Sequence, residues 1–142
     1  EGFTTHYIYD LRDGHRLRFD PLFTDMGLNA VDDTLLEHWT AVVETRIRSI
    51  SDSLQDTSLS IENRERLENA LSVYRQCLLE RSGQRPYVAD LEARSRELRV
   101  YIVRCSAHVD QEVDDLGELF VDLPYEWVRP YLRPEVAPLF RQ

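Results

Sequence analysis

The sequence predicts a mainly α-helical protein: a three-helix antiparallel bundle of coiled-coil character with a long third helix. Two observations predict this fold class. Apolar residues recur every three or four positions over 33–55, 60–82 and 86 to about 121, which is the spacing of amphipathic helices. Short turn-forming segments separate these stretches, and short connections make neighbouring helices antiparallel. We therefore expect one domain over residues 1–142, with the helical bundle at 33–122.

An N-terminal β-hairpin is predicted over residues 5–20. Asp13-Gly14 is a strong signal for a two-residue turn between strands, and such a turn pairs Ile8 with Phe19. An isolated two-stranded hairpin is marginally stable in water. We therefore expect the face that carries Ile8 and Phe19 to pack on the helices.

The helix boundaries follow from capping residues. Asp32 or Asp33 suits the start of the first helix, because acidic side chains stabilise helix N-termini. Ser60 is a good N-cap for the second helix, and Gly83 suits its C-terminal end. Pro86 suits the first turn of the third helix, where its missing N–H costs nothing.

The third helix has an alternative. Val100-Tyr101-Ile102-Val103 has β propensity and is compatible with a strand, but the length and the continued helical phase on both sides favour a helix. In an antiparallel register this helix extends beyond the other two by about a dozen residues, roughly 18 Å. Leu116 and Phe120 lie on that extension and need a cover, since burying such a side chain is worth about 1.5–3 kcal/mol.

The C-terminal segment at 123–142 is predicted to be an extended docking tail. Prolines interrupt it at 124, 130, 134 and 138, and proline prevents regular helix. The segment is too rich in large apolar side chains to be a flexible linker. We expect it to cover the end of the third helix, in the same chain or in a neighbouring one. Its large apolar residues are Tyr125, Trp127, Tyr131, Leu132, Leu139 and Phe140.

Charge and composition restrict the classes of partner. The chain has 142 residues and a net charge of −9, which argues against a nucleic-acid backbone and against an anionic membrane. No apolar run is long enough to span a bilayer. No cofactor-binding loop and no metal-ligand spacing is present in the sequence, so we expect neither cofactor nor metal. The chain begins with Glu1 rather than Met, and we expect an excised domain of a larger protein.

The two cysteines are predicted to be free. Cys77 and Cys105 both fall in the apolar phase of predicted helices. In the antiparallel register they lie on the order of 20 Å apart, which is too far for a disulfide. Buried free thiols are typical of a reducing compartment, and we expect an intracellular protein, cytoplasmic or nuclear.

These features together favour a non-catalytic protein–protein interaction or assembly module. Its partner is expected to be another protein, a second copy of the chain, or both. The predicted binding residues are apolar and aromatic side chains on the end of the third helix and on the tail, because aromatic residues often dominate interface energetics. They are Val113, Leu116, Phe120, Trp127, Tyr131 and Phe140.

Two other functions are considered. A small thiol enzyme would use Cys77 as nucleophile with His38, which falls level with it on the neighbouring predicted helix. A weak nucleic-acid-binding adaptor would use the local basic stretch of the third helix. That stretch comprises Arg94, Arg96, Arg99 and Arg104. Rapid alkylation of Cys77 would support the enzyme, and salt-sensitive retention on nucleic acid would support the adaptor.

Overall fold

The computed structural model describes residues 8–9, 12–14, 16–105, 115–116 and 118–140. The chain forms two compact units, which are described separately. Unit 1 comprises Glu1–Leu35, Pro86–Val103 and Phe120–Gln142, and unit 2 comprises Leu36–Arg85 and Arg104–Leu119.

The elements are mixed in type. The helices are α1 (Asp25–Ser53), α2 (Ile61–Arg81) and the single turn α3 (Tyr125–Val128). The strands are β1 (Ile8–Tyr9), β2 (Arg16–Leu17), β3 (Val88–Ala93), β4 (Glu97–Ile102) and β5 (Leu119–Pro124). Short 3-10 helices cover Asp20–Leu22, Arg129–Tyr131 and Ala137–Leu139.

The predicted three-helix bundle is wrong, and so is its coiled-coil character. The described part of the region assigned to a long third helix forms β3 and β4, which are antiparallel neighbours, and the start of β5; residues 106–114 and 117 lie outside the described residues. The local physics explains the difference: Leu98, Val100 and Ile102 are buried on one face of β4, which is the period of two that defines a strand. The strand period of the β-branched and aromatic residues at 100–103 is therefore the one that the structure follows, in place of the helical phase around them.

A hairpin is present at the N-terminus, with a register that differs from the predicted one. Ile8 pairs with Leu17, and Tyr9 pairs with Arg16, whereas the two-residue turn at Asp13-Gly14 predicted Ile8 opposite Phe19. The pairing centres the turn one residue earlier in the chain. Gly14 then follows the turn with a φ of 79°, a left-handed conformation that glycine adopts without strain.

The main sheet has the strand order β3-β4-β5. On β3 and β4, Leu91 pairs with Val100 and Glu92 pairs with Arg99. The Arg94 N–H donates to the Glu97 carbonyl at 2.9 Å across the connecting turn. One face of the sheet is buried, and its residues are Leu91, Leu98, Val100, Ile102, Val121 and Leu123.

Helix α1 begins earlier than predicted, at Asp25 instead of near Asp33. The Thr24 hydroxyl accepts a hydrogen bond from the Gly27 N–H at 3.0 Å, which is an N-cap interaction. Gly27 also lies directly against Tyr131: a Cβ built at residue 27 would stand 2.8 Å from the Tyr131 Cβ. A glycine is needed there because the two backbones approach closely.

In unit 2, the later part of α1 and helix α2 run antiparallel. The Arg81 guanidinium lies 5.6 Å from the ring centroid of Trp39 at one end. At the other end the Arg64 guanidinium donates to the Leu54 carbonyl at 3.1 Å. Ser60 is the N-cap of α2, as predicted, and its hydroxyl accepts from the Asn63 N–H at 3.1 Å.

The prediction of an extended C-terminal tail is also wrong. The segment after β5 forms α3 and short 3-10 turns, and it packs within unit 1. Leu132 forms a β-bridge with Phe23, and the Arg133 N–H donates to the Leu22 carbonyl at 2.8 Å. Val128, Leu132, Val136 and Phe140 are buried. The prolines allow this path because 3-10 turns accept proline at their first positions.

Among the described residues, no helix combines the length and the apolar character that a membrane span needs.

Candidate interaction surface

One face of the main sheet is exposed and carries paired charges and aromatic rings. Side chains of a strand alternate between the two faces, so the neighbours of the buried Leu98, Val100 and Val121 point to the opposite side. We call this exposed side the sheet face and define it by Glu92 on β3, Arg99 and Tyr101 on β4, and Phe120 and Asp122 on β5.

Arg99 is at the centre of the sheet face. Its guanidinium binds Asp122 through two hydrogen bonds, Nε to Oδ1 at 2.7 Å and Nη2 to Oδ2 at 3.0 Å. The same guanidinium carbon lies 3.9 Å from the ring centroid of Phe120. A planar guanidinium can make a bidentate pair and an aromatic stack at the same time, which an ammonium group cannot do.

Tyr101 contacts both Glu92 on β3 and Phe120 on β5. Its hydroxyl donates to the Glu92 carboxylate at 2.8 Å, and its ring centroid is 6.1 Å from that of Phe120. Arg99 and Tyr101 therefore hold Phe120 from two directions. Each of the five side chains has a bonded or stacked partner within the sheet face, so the surface is organised before any ligand binds.

The ionisation states of these groups follow from the same contacts. The hydrogen bonds from Arg99 lower the pKa of Asp122 below 3.8, and the hydrogen bond from Asp122 raises the pKa of Arg99. Loss of solvent and the hydrogen bond to Glu92 raise the pKa of Tyr101 above 10.0. At neutral pH the Arg99–Asp122 pair is therefore fully charged, and the Tyr101 phenol keeps its proton.

Phe120 is the exposed member of the group. It retains 45% of its accessible surface, although an aromatic ring on a strand usually finds cover. The arrangement offers a partner an aromatic ring, a guanidinium edge and two carboxylates on a flat surface. The aromatic ring and the arginine are residue types enriched at protein interfaces, whereas Asp and Glu are depleted there.

The structure separates the six residues that the sequence suggested. Phe120 belongs to the sheet face, and Val113 lies outside the described residues. Trp127 and Tyr131 are half-buried in unit 1 and pack on each other, with ring centroids 5.1 Å apart. Phe140 is buried, and its ring centroid lies 5.4 Å from that of Tyr125. Its ring therefore belongs to the interior of unit 1 and is not accessible to a partner.

Leu116, the sixth residue, lies in unit 2. Its N–H donates to the Tyr74 hydroxyl at 3.1 Å, and that hydroxyl donates to Asp115 at 2.8 Å. Leu116 also lines a groove of about 440 Å³ along α1. The other lining residues are His38, Ala41, Val42, Thr45, Arg46 and Ser49.

The cysteines are joined in a disulfide, which corrects the prediction of free thiols. Cys77 on α2 is bonded to Cys105, with the two Cα atoms 5.4 Å apart. The prediction failed because the separation of about 20 Å assumed a straight helix, whereas the segment at 88–102 forms the β3–β4 hairpin. Without a thiol, Cys77 cannot act as the nucleophile of the thiol-enzyme hypothesis, and His38 lies exposed on α1.

The arginine stretch does not form one helical face. Arg99 is paired with Asp122 on the sheet face. Arg94 forms ion pairs with two carboxylates: its Nη1 lies 3.5 Å from Glu92 Oε1, and its Nε lies 3.3 Å from Glu97 Oε1. Arg96 is in the turn between β3 and β4, and Arg104 follows β4. Two of the four charges are therefore already neutralised by carboxylates.

Within the part of the chain that the structure describes, no group of three or more His, Cys, Asp or Glu side chains is arranged to hold a metal ion.

Of the five residues of the sheet face, the predicted interaction site included Phe120 alone; Arg99 was a candidate only for the nucleic-acid alternative, and Glu92, Tyr101 and Asp122 were not candidates. A usable signal was present: from Glu97 to Ile102 polar and apolar positions alternate strictly, with tyrosine as the amphipathic member. That alternation puts Arg99 and Tyr101 on one face of a strand. Asp122 is two residues from Phe120 and shares its face for the same reason.

No protein-family model, curated protein or solved structure matches this chain. The case for its function therefore depends on its own residues.

Proposed function

We propose that this chain is a non-catalytic protein-interaction module and that its partner binds the sheet face. The observation that carries the proposal is the exposed Phe120 ring, held between Arg99 and Tyr101. A ring left in water forgoes part of the roughly 1.5–3 kcal/mol that its burial is worth, so a surface that keeps it exposed and ordered suits a binding role.

Preorganisation supports the same function. Association normally costs about 0.5–1.5 kcal/mol for each flexible side chain that is immobilised. On the sheet face, Arg99 is already fixed by Asp122, and Tyr101 is already fixed by Glu92. A partner would therefore gain contacts with the ring and the guanidinium edge at a low entropic cost.

The charges indicate the kind of partner surface. Glu92 on β3 and Asp122 on β5 lie on the same face of the sheet as the ring, and a carboxylate offers about four lone-pair sites to donors. A partner with an apolar centre and hydrogen-bond donors or basic side chains at its edge would match. Another protein, a second copy of the chain, or both can provide such a surface.

The alternatives have weaker support. The thiol enzyme lacks its nucleophile because Cys77 is in a disulfide. The nucleic-acid adaptor needs a basic surface, and the chain has a net charge of −9.

The disulfide bears on the compartment as well. Disulfides persist in oxidising environments and are rare in the cytosol. The expectation of an intracellular protein depended on free thiols, so we propose instead that the module works in an oxidising compartment, such as the cell exterior.

A binding experiment tests the proposed function. Proteins captured by the immobilised chain from its source would be purified singly, and their dissociation constants measured with wild type and with Phe120→Ser. We expect at least tenfold weaker binding, about 1.4 kcal/mol, because the central ring is removed. Met26→Ser is the matched control, since Met26 is 85% exposed on α1. Equal affinities for wild type, Phe120→Ser and Met26→Ser, or no purified protein that binds, would refute the proposal.

A further inference from the structure

Strand β5 is an edge strand of the main sheet, and its outer edge is the side that faces away from β4. The Tyr125 N–H donates to the Arg96 carbonyl at 3.1 Å, so the backbone of residue 125 faces β4. Backbone groups alternate in direction along a strand. The N–H and C=O groups of Val121 and Leu123 therefore face β4, and those of Phe120 and Asp122 face away from it.

Side-chain contacts support this assignment independently. In an antiparallel pair, residues opposite each other without mutual hydrogen bonds have the closer side chains. Arg99 meets Asp122, and Tyr101 meets Phe120, as expected if residues 120 and 122 are the non-hydrogen-bonded positions towards β4. In the described part of the chain, no other strand pairs with the outer edge of β5.

We propose that the outer edge of β5 pairs antiparallel with the same edge of a second copy of this chain, with Val121 at the twofold axis. This inference rests on the proposed function and deepens it, because it names a second copy as a partner that extends the sheet face. Phe120 and Asp122 of each copy would exchange both N–H···O bonds with Asp122 and Phe120 of the other. An unpaired strand edge is a ready template for such pairing.

The register follows by elimination. Centring the pair on Phe120 would align few residues, because β5 begins at Leu119. Centring it on Asp122 would put two carboxylates opposite each other, which is destabilising, and would require an N–H from Pro124, which has none. Centring it on Val121 aligns residues 119–123 of both copies and avoids both problems.

Self-complementarity of this register favours a second copy as the partner. With Val121 at the centre, Phe120 lies opposite Asp122 of the second copy, and that carboxylate already carries its own Arg99. Each ring thus gains a neutralised ion pair as its neighbour. On the buried side, Val121 faces Val121 of the second copy, so apolar meets apolar.

The expected complex is weak. Pairing of one short strand buries less surface than the roughly 1,200 Å² of a standard stable interface. The net charge of −9 on each copy also opposes association, and salt screens that repulsion. We therefore expect association that depends on protein concentration and becomes stronger as ionic strength rises.

Sedimentation velocity across a concentration series provides the test. Asp122→Pro removes the outward N–H and places a ring at the edge, where strands tolerate proline. Asp122→Asn is the matched variant, because it removes the same charge and keeps the N–H. We expect Asp122→Pro to associate at least tenfold more weakly than Asp122→Asn, with the fold of both checked by circular dichroism.

A cross-linking experiment keeps the test independent of the proline variant. Residues 120 and 122 of opposite copies would form hydrogen-bonded pairs with Cα atoms about 5.5 Å apart, which is within disulfide range. Mixed Phe120→Cys and Asp122→Cys chains should form the mixed disulfide dimer in excess over either homodimer. Met26→Cys chains are the control for random collision.

The outcomes separate the inference from the proposed function. A monomer at every concentration and salt, with no excess of the mixed dimer, overturns the self-pairing while loss of another partner on Phe120→Ser still supports the sheet face. If Phe120→Ser changes the binding of no partner, the sheet face is overturned, while the self-pairing still depends on the comparison of Asp122→Pro with Asp122→Asn and on the mixed dimer.

Discussion

Arg99 is the residue that makes the sheet face a defined surface. Its guanidinium binds Asp122 at 2.7 Å and lies 3.9 Å from the Phe120 ring centroid. An ion pair at a protein surface contributes little to folding stability. Its importance therefore lies in geometry: it keeps the ring and the guanidinium edge in one orientation on the surface.

The pH dependence of stability tests this ion pair. The pKa of Asp122 is lowered in the folded chain, so the pair stabilises the fold at neutral pH, and this contribution is lost as pH falls through and below about 3.8. Asp122→Asn should melt about 1–4 °C below wild type at pH 7. The difference should vanish once Asp122 is protonated. A difference that is independent of pH would contradict the ion pair as its source.

At the scale of elements, some of the fold could be predicted and some could not. Ser60 caps α2 as its position predicts, because an N-cap is a local interaction. The hairpin at Asp13-Gly14 is also local, but its register is not, and only the pairing of Ile8 with Leu17 fixes it. Local signals therefore located these elements without setting their alignment.

The region at 88–102 shows why the remainder could not be predicted. Leu91, Leu98 and Ile102 fit a helical spacing, and Leu98, Val100 and Ile102 fit a strand spacing. Both patterns are present in one segment, and the partner strand decides between them. That partner, β5, lies far along the chain, so its contribution is invisible to local reasoning.

The disulfide within unit 2 is also a non-local feature. Cys77 and Cys105 are 28 residues apart in sequence, and closing a loop of that length is worth about 3–4 kcal/mol in the chain-entropy model. Adding reductant, or replacing both cysteines with serine, should therefore lower the melting temperature.

Thermal melts of wild type and of the double variant Cys77→Ser/Cys105→Ser, each with and without reductant, measure this effect. Wild type should lose stability on reduction, and the double variant should be unaffected by reductant. Peptide mapping without reduction should recover the two cysteine-containing peptides joined. Identical melting of wild type in both conditions would contradict a formed disulfide.

At the scale of the whole molecule, the two units carry different features. Unit 1 contains the sheet face and the outer edge of β5, and its C-terminal turns pack within the same unit. Unit 2 contains the later part of α1, which runs antiparallel to α2, and the disulfide. The candidate interaction surface therefore belongs to unit 1, and the disulfide belongs to unit 2.

Acidity affects the molecule as a whole. A net charge of −9 keeps copies apart at low ionic strength and favours solubility. Self-pairing through β5 would have to overcome that repulsion, which is why its strength should rise with salt. The sheet face itself is locally balanced because Arg99 neutralises Asp122.

Amide hydrogen exchange of β5, followed by NMR at low and high protein concentration, tests the interaction surface most directly. We expect the amides of Val121 and Leu123 to be protected at both concentrations, since they are bonded to β4. The amides of Phe120 and Asp122 should exchange fast in dilute solution and become protected at high concentration. If all four amides exchange alike, or if Phe120 and Asp122 keep the same rates at both concentrations, β5 does not pair with a second copy.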